Sequence, residues 1–336
     1  MNDKLPTREE YWRKKLEENK KESENEKLKQ RKKIEARKIT DLNNTKEMES
    51  PDIFYEDTKF VKQAKKKKRR FRKWVIVVFF LFFLTILIVS SIGIYFWFND
   101  NKEVSDLQED MVKDTKVKEK KDNDKTEQVN PPEDKKDDYW DYMKMSLLEV
   151  DFNDLLQKNS DTVGWIKVNG TNINYPIVQT TDNNFYLHHA FDKSKNDAGW
   201  VFMDYRNNSI NFDQNTVIYA HSRYNGTMFG SLKNILDSSW YNNKDNYIIR
   251  LSTPTENTMW QVFSVYTIEK ESYYITTKFS SDSMYSEFLN TIKERSDVNF
   301  SATVNTNDKI LTLSTCKDNF GSRVVMHAKL IKRETR

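Results

Sequence analysis

The sequence predicts a mainly β fold: one closed or nearly closed barrel of about eight strands, preceded by a single transmembrane helix. Three observations predict it. Residues Trp74 to Phe98 run for 25 positions without a charge. Hydrophobic patterning is lost after that run and returns at Tyr139, leaving 198 residues, enough for one well-filled core. Within those residues, short β-rich runs bounded by turn residues follow one another and do not alternate with helices, which argues against a doubly wound parallel sheet.

The averages of the 336-residue chain hide this division. It has 55 Lys+Arg, 51 Asp+Glu and a net charge of +4. At 37% hydrophobic and 32% charged it is too polar to cross a membrane many times. A single cysteine, Cys316, excludes an intramolecular disulfide and any all-cysteine metal site. With 7 Gly and 6 Pro, collagen-like and Gly/Pro-rich low-complexity architectures are also excluded.

As a helix rising ~1.5 Å per residue, the uncharged run covers about 37 Å, more than a ~30 Å hydrocarbon core. Trp74 at one end and Tyr95 and Trp97 at the other stand where interfacial aromatics are expected. The run begins too far into the chain and is too long for a cleaved signal peptide. Its flanks set the orientation. Lys62 to Lys73 carries nine basic and no acidic residues, whereas the other side begins Asn99-Asp100-Asn101. The excess of basic charge predicts a cytoplasmic N-terminus and an extracellular C-terminal part. Residues 1–73 carry +10 and residues 99–336 carry −6. The basic run next to the span points to anionic membrane lipids, not nucleic acid, as its partner.

Four segments are therefore expected. Residues 1–73 form a charged cytoplasmic tail, helical over about Thr7 to Lys38 or disordered, and 74–98 the membrane span. Residues 99–138 have no aromatic residue, many charges and a Pro131-Pro132 pair, and are expected to be a disordered extracellular tether. Residues 139–336 form the folded domain. It opens with Tyr139–Leu156, whose apolar positions fit one helical stripe imperfectly. Strands are expected at Val163–Val168, Tyr175–Gln179, Gly199–Asp204, Thr216–His221, Tyr247–Ser252, Met259–Glu269, Ile310–Cys316 and Arg323–Lys332. Helical interruptions are expected at Met228–Leu236 and Asp282–Arg295, the second with Met284, Phe288, Leu289 and Ile292 on one face.

Cys316 ends a strand beside Lys317, Asp318 and Asn319, a setting unlike that of a buried structural cysteine. A free thiol in an exported domain is an oxidation liability and so marks a reactive position. Two strands supply partners: Thr216–Ala220 runs into His221, and Arg323 opens the strand after Cys316. A thiolate is a nucleophile, a histidine takes and returns its proton, and a guanidinium stabilises charge developing on a carbonyl oxygen. The adjacent His188 and His189 would face opposite ways on a strand and make poor joint ligands, and His327 reads as a strand-face residue.

Thr312-Leu313-Ser314-Thr315-Cys316 followed by Arg323 resembles the TLxTC…R signature of sortases, and Asn215–Ser222 (NTVIYAHS) resembles their histidine motif. The TLSTC form, the segment FSSDSMYSEFLNTIKERS, the extra N-terminal helix and DNNFYLHHAFDKSKNDAGWVFMDYRN resemble class B. The resemblance covers essentially all of 139–336. It implies a sortase-like barrel with an extra helix before the catalytic strand, and a cysteine transpeptidase that cleaves a C-terminal sorting motif of NPQTN-like type after Thr. The resulting thioester would be resolved by an amine of peptidoglycan or its precursor. Cys316 would be the nucleophile, His221 the general acid/base, and Arg323 the residue that positions substrate and stabilises the oxyanion. Asn183, Leu187, Tyr219, Tyr274, Ile275 and Ser314 would line the substrate groove. No cofactor or metal is implied. Sorting-motif-bearing surface proteins, the accepting amine and membrane lipids are the expected partners. The sequence departs from the family in having Ala220 where Gly usually precedes the histidine, and in Arg323 following Cys316 by only seven residues. Rival readings are a pilin polymerase, a thiol endopeptidase and a non-catalytic adhesin or sensor.

Overall fold

A computed structural model describes residues 58–135, 137–269, 271–316 and 322–336. The expected tail helix over Thr7 to Lys38 lies outside the described residues. Two units divide the chain, one ending at Phe83 and the other comprising Leu84–Arg336. The described part of the first is the start of helix α1 (Thr58–Asp114). From Arg72 on, α1 is long and apolar enough to cross a membrane, and the side chains of the apolar run are exposed.

The second unit is a closed barrel. In chain order, α1 is followed by β1 (Val117–Lys120), β2 (Thr126–Gln128), α2 (Tyr139–Tyr142), β3 (Leu147–Val150) and α3 (Asn153–Lys158). Next come β4 (Thr162–Val168), β5 (Asn174–Val178), β6 (Phe202–Met203), β7 (Asn215–His221), α4 (Ser238–Tyr241), β8 (Ile248–Ser252) and β9 (Glu256–Glu269). The chain ends with α5 (Asp282–Glu294), β10 (Ile310–Cys316) and β11 (Ser322–Thr335). Eight strands pair in the order β10-β7-β6-β5-β4-β8-β9-β11, and the β11–β10 pairing closes the ring. Closure removes the exposed edges that an open sheet would leave. One edge of β11 pairs along its length with β9, while its other edge is shared by β10 and, near its end, by β2.

The main core includes Trp165, Trp200, Trp260 and Tyr175, all fully buried. Helix α5 covers a second cluster on the outer face of β9, β10 and β11. Ser281 caps it by accepting from the Met284 N–H, as an N-terminal serine should. Its buried stripe is Tyr285, Phe288, Leu289 and Ile292. The expected face is thus corrected at one position. Met284 is 53% exposed and Tyr285 takes the inward place, which keeps the i, i+3, i+4, i+7 spacing.

Two further expectations are corrected. Tyr139–Leu156 is not one helix: its middle, Leu147–Val150, is strand β3, paired antiparallel with β1. The partner strand lies in the segment expected to be a disordered tether. Residues 99–138 instead continue α1 to Asp114 and then form β1 and β2. Val104 and Met111 are buried and Leu107 is partly so, one helical face that the charged composition conceals. Three apolar residues suffice because the barrel supplies the rest of the core. The predicted strand Gly199–Asp204 shortens to Phe202–Met203, and Met228–Leu236 becomes a 3₁₀ turn over Gly230–Leu236.

Candidate active site

The two motifs singled out in the sequence are neighbouring parallel strands. β7 and β10 pair residue for residue from Ile310 opposite Asn215 to Cys316 opposite His221. Nearly every residue of β7 and of β10 is buried, on both faces, as a parallel strand requires. Neighbouring strands lie about 4.8 Å apart, so the register brings the Cys316 and His221 backbones together at one end of the barrel. On its other edge β10 runs antiparallel to β11, with Ser314 opposite Val325. Two residues further along each strand stand Cys316 and Arg323. Residues 317–321, between them, lie outside the described residues. Ala220 is fully buried and its methyl is part of the core.

His221 is half-buried, and its Nε2–H donates to the Leu187 carbonyl oxygen at 2.8 Å. A carbonyl can only accept, so this bond puts the neutral ring's proton on Nε2 and the lone pair on Nδ1. Burial is the main influence pushing this imidazole below its usual 6.5; the Leu187 bond opposes it, and the Arg223 and His188 charges reinforce it. Behind the ring, Gly199 has φ +63°.

Arg323 is half-buried. Its Nη1 makes a long 3.4 Å bond to the Tyr274 hydroxyl. That hydroxyl meets Ser314 Oγ at 3.0 Å, and Ser314 donates on to the Thr315 carbonyl. The Arg323 Nε is buried and has no hydrogen-bond partner among the described residues. A buried charged donor left unsatisfied is costly, and such a group suits a negatively charged oxygen.

Of the six residues expected to line a groove, Tyr219, Tyr274 and Ser314 are buried, while Asn183, Leu187 and Ile275 are half-buried. A residue not singled out in the sequence joins several of them. Asp204 is fully buried, and its carboxylate accepts from Arg206 Nε at 2.8 Å and Nη2 at 2.7 Å. It also accepts from Tyr219 Oη and Asn183 Nδ2, each at 3.0 Å. Arg206 Nη2 reaches across to the Ile275 carbonyl at 2.9 Å. Burial alone would raise the Asp204 carboxyl; the Arg206 guanidinium and backbone N–H, with the Tyr219 hydroxyl, outweigh it and hold it below its usual value. The sequence signal, Asp204-Tyr205-Arg206, is too common to have identified this pair without its partners.

The other histidines have partners of their own. His327 is fully buried between the Tyr266 hydroxyl and Thr312 Oγ1, each 2.8 Å away. His189 stacks on Phe185 with 4.0 Å between ring centroids, and His188 is exposed, 3.8 Å from Asp197.

A family model for the sortase domain matches residues 166–331. Sortase B of Staphylococcus aureus is 38% identical over 184 residues, which are 54% of this chain and 75% of that protein. The chain is a class B sortase. Solved sortase structures share its barrel. A Bacillus anthracis sortase B in complex with AAEK1 is 34% identical with a TM-score of 0.56, and covers 70% of this sortase and 99% of that chain. A Staphylococcus aureus sortase B–substrate complex is 38% identical with a TM-score of 0.51, covering 54% and 84%. Both motifs that resemble the sortase signature, on β7 and β10, lie within the matched residues.

Proposed function

We propose that this protein is a membrane-anchored transpeptidase that cleaves a sorting motif of NPQTN-like type after Thr and joins the protein to a peptidoglycan amine. The observation that carries the reading is the register of Cys316 with His221, with Arg323 two residues beyond the last β10–β11 pair. In this reading the Cys316 sulfur attacks the Thr carbonyl carbon, and His221 protonates the departing amide nitrogen as the C–N bond breaks. Cys316 and the Thr acyl group are then joined as a thioester. An amine attacks it, gives its proton to the imidazole, and the sulfur leaves. The Arg323 Nε–H, which has no partner among the described residues, is the donor for the oxygen that becomes negative in both steps. Asn183, Leu187 and Ile275 are assigned to the groove surface, with Tyr219, Tyr274 and Ser314 bracing it from beneath.

Unperturbed thiol and imidazole titrate near ~8.5 and ~6.5, so an uncoupled pair is mostly thiol and neutral ring at pH 7. The lowered His221 value moves the balance further that way, so a minority of molecules holds the reactive ion pair and turnover is slow. Helix α1 is assigned as the anchor, with its basic flank in the cytoplasm and the barrel outside. The test is to incubate the full chain with a sorting-peptide library and amine acceptors, then read the products by mass spectrometry. Cleavage after Thr with a new amide bond to a peptidoglycan-type amine is the expected product. Hydrolysis alone, or transfer only to a protein lysine, overturns the assignment of the acceptor.

A further inference from the structure

The loop that follows His221 carries two features the reaction does not use. Tyr224 is 86% exposed, far more than the other tyrosines and tryptophans of the barrel, and Lys233 Nζ lies 5.5 Å from its ring centroid. Beside it, Arg223 faces the end of the apolar run in α1. Its guanidinium lies 5.7 Å from the Trp97 ring centroid, its Nε donates to Asn101 Oδ1 at 2.7 Å, and its Nη1 donates to the Asp197 carbonyl. Asn101 is itself buried, and its Nδ2 returns to the Trp97 carbonyl at 2.7 Å. The loop on the other side of His221 meets the same turn, since Asn196 Nδ2 bonds the Asp100 carbonyl and Glu103 Oε2.

These contacts set a height. Trp97 and Phe98 end the uncharged run, and Asn101 stands one helical turn, about 5 Å, beyond them. A tryptophan at that position belongs to the headgroup layer. Arg223 grips that same turn, so Tyr224 stands at the level of the headgroups, an aromatic ring with a polar tip and a lysine beside it. That is the composition of an interfacial anchor.

We propose that the Arg223–Tyr224 turn rests on the headgroup layer of the bilayer that α1 crosses, with Tyr224 inserted and Lys233 at its phosphates, so that the Cys316–His221 end of the barrel faces the membrane. The proposal rests on the assignment of α1 as a span. A peptide or an amine acceptor that is itself held in the bilayer then meets the site without leaving the surface.

The test uses the full chain carrying Cys316→Ala, with one new cysteine labelled by an environment-sensitive fluorophore and the protein reconstituted in phosphatidylcholine/phosphatidylglycerol vesicles. The labelled variants are Tyr224→Cys, Leu87→Cys within the uncharged run, and Thr255→Cys. Thr255 precedes the end of β9 that pairs with the close of β11, about 40 Å along the strand from Arg323. Nitroxide lipids carry the quencher at the headgroup or at mid-chain. The expected result is several-fold stronger quenching at 224 by the headgroup quencher than by the mid-chain one, the reverse at 87, and little of either at 255. Quenching at 87 with none at 224 overturns the seat and leaves the span standing. Equal headgroup quenching at 224 and 255 also overturns it. No quenching at 87 removes the span and the seat together.

Discussion

A methyl group on Gly199 would stand 3.0 Å from Cδ2 of His221 and 2.6 Å from the Tyr186 carbonyl oxygen. The glycine is required twice over, by its positive φ and by the ring in front of it. Gly199→Ala is expected to displace His221 or break its bond to Leu187. A left-handed conformation costs a non-glycine residue roughly 1–2 kcal/mol, and the clash adds to that. The expected outcome is at least a tenfold loss of kcat/KM with a modest fall in Tm; unchanged kinetics would show that the ring position is not critical.

Arg323→Lys keeps the charge but loses the planar fork of donors. Loss of an oxyanion donor raises the barrier by about 2.7–4 kcal/mol, a 10²–10³-fold drop in kcat. Near-normal turnover of the variant would take Arg323 out of its assigned role.

Asp204 and Arg206 join the Asn183 side of the site to the Ile275 turn, so they should control peptide binding more than chemistry. Asp204→Asn keeps the shape but leaves the Arg206 fork with a weaker acceptor. The expected result is a several-fold rise in KM for the sorting peptide and a stability loss on the order of 2 kcal/mol, moderated because Arg206 is partly exposed. The sign of the pH dependence follows from a carboxyl whose folded value lies below its unfolded one. Its contribution is fully present above about pH 4 and is lost as pH falls through the folded value. Urea unfolding of wild type and variant between pH 7 and pH 3 should therefore converge at the acid end.

His327 gives a separate acid dependence. Burial, helped by the Arg295 charge, depresses its imidazole to about 3. Between pH 6.5 and that value the unfolded chain binds a proton that the folded chain does not, so stability falls as pH falls, by on the order of 5 kcal/mol in total. Thr312 Oγ1 donates to Asn215 Oδ1, so it accepts from His327 Nδ1, and the Tyr266 hydroxyl donates to Nε2. His327→Gln should flatten the unfolding profile over that range; an unchanged slope would assign the acid sensitivity to other groups.

Because burial disfavours the His221 imidazolium, alkylation of Cys316 by iodoacetamide should rise mainly on the alkaline side of neutrality. Complete ionisation of the thiol well below pH 6 would contradict the minority ion pair.

Strand order along the chain was legible wherever a run of β-branched and aromatic residues was bounded by turns. β10 was expected at its observed ends and β7 to within one residue. Closure of the barrel was legible in the number and spacing of the strands, and the helix before β10 in its apolar face. Less legible was the segment after the membrane run. Val104, Leu107 and Met111 are sparse among charges, and a composition average sees the charges while a helix face sees the three side chains. Strand β3 was missed for a related reason: its pairing partner, β1, lies in that same charged stretch and carries no strand signal of its own.

By itself the sequence determined the uncharged run, the strands that hold Cys316 and His221, and the residue types available for thiol chemistry, because periodicity and charge are local properties of a chain. The tertiary structure alone decided that Asp204 gathers Arg206, Tyr219 and Asn183, and that Gly199 stands against His221. It also decided that Arg223 holds the turn at Trp97. Hydrogen bonds and ring contacts form within a few ångströms, and partners on different strands and loops, such as Asp204 with Tyr219 and Asn183, come that close only when the barrel closes.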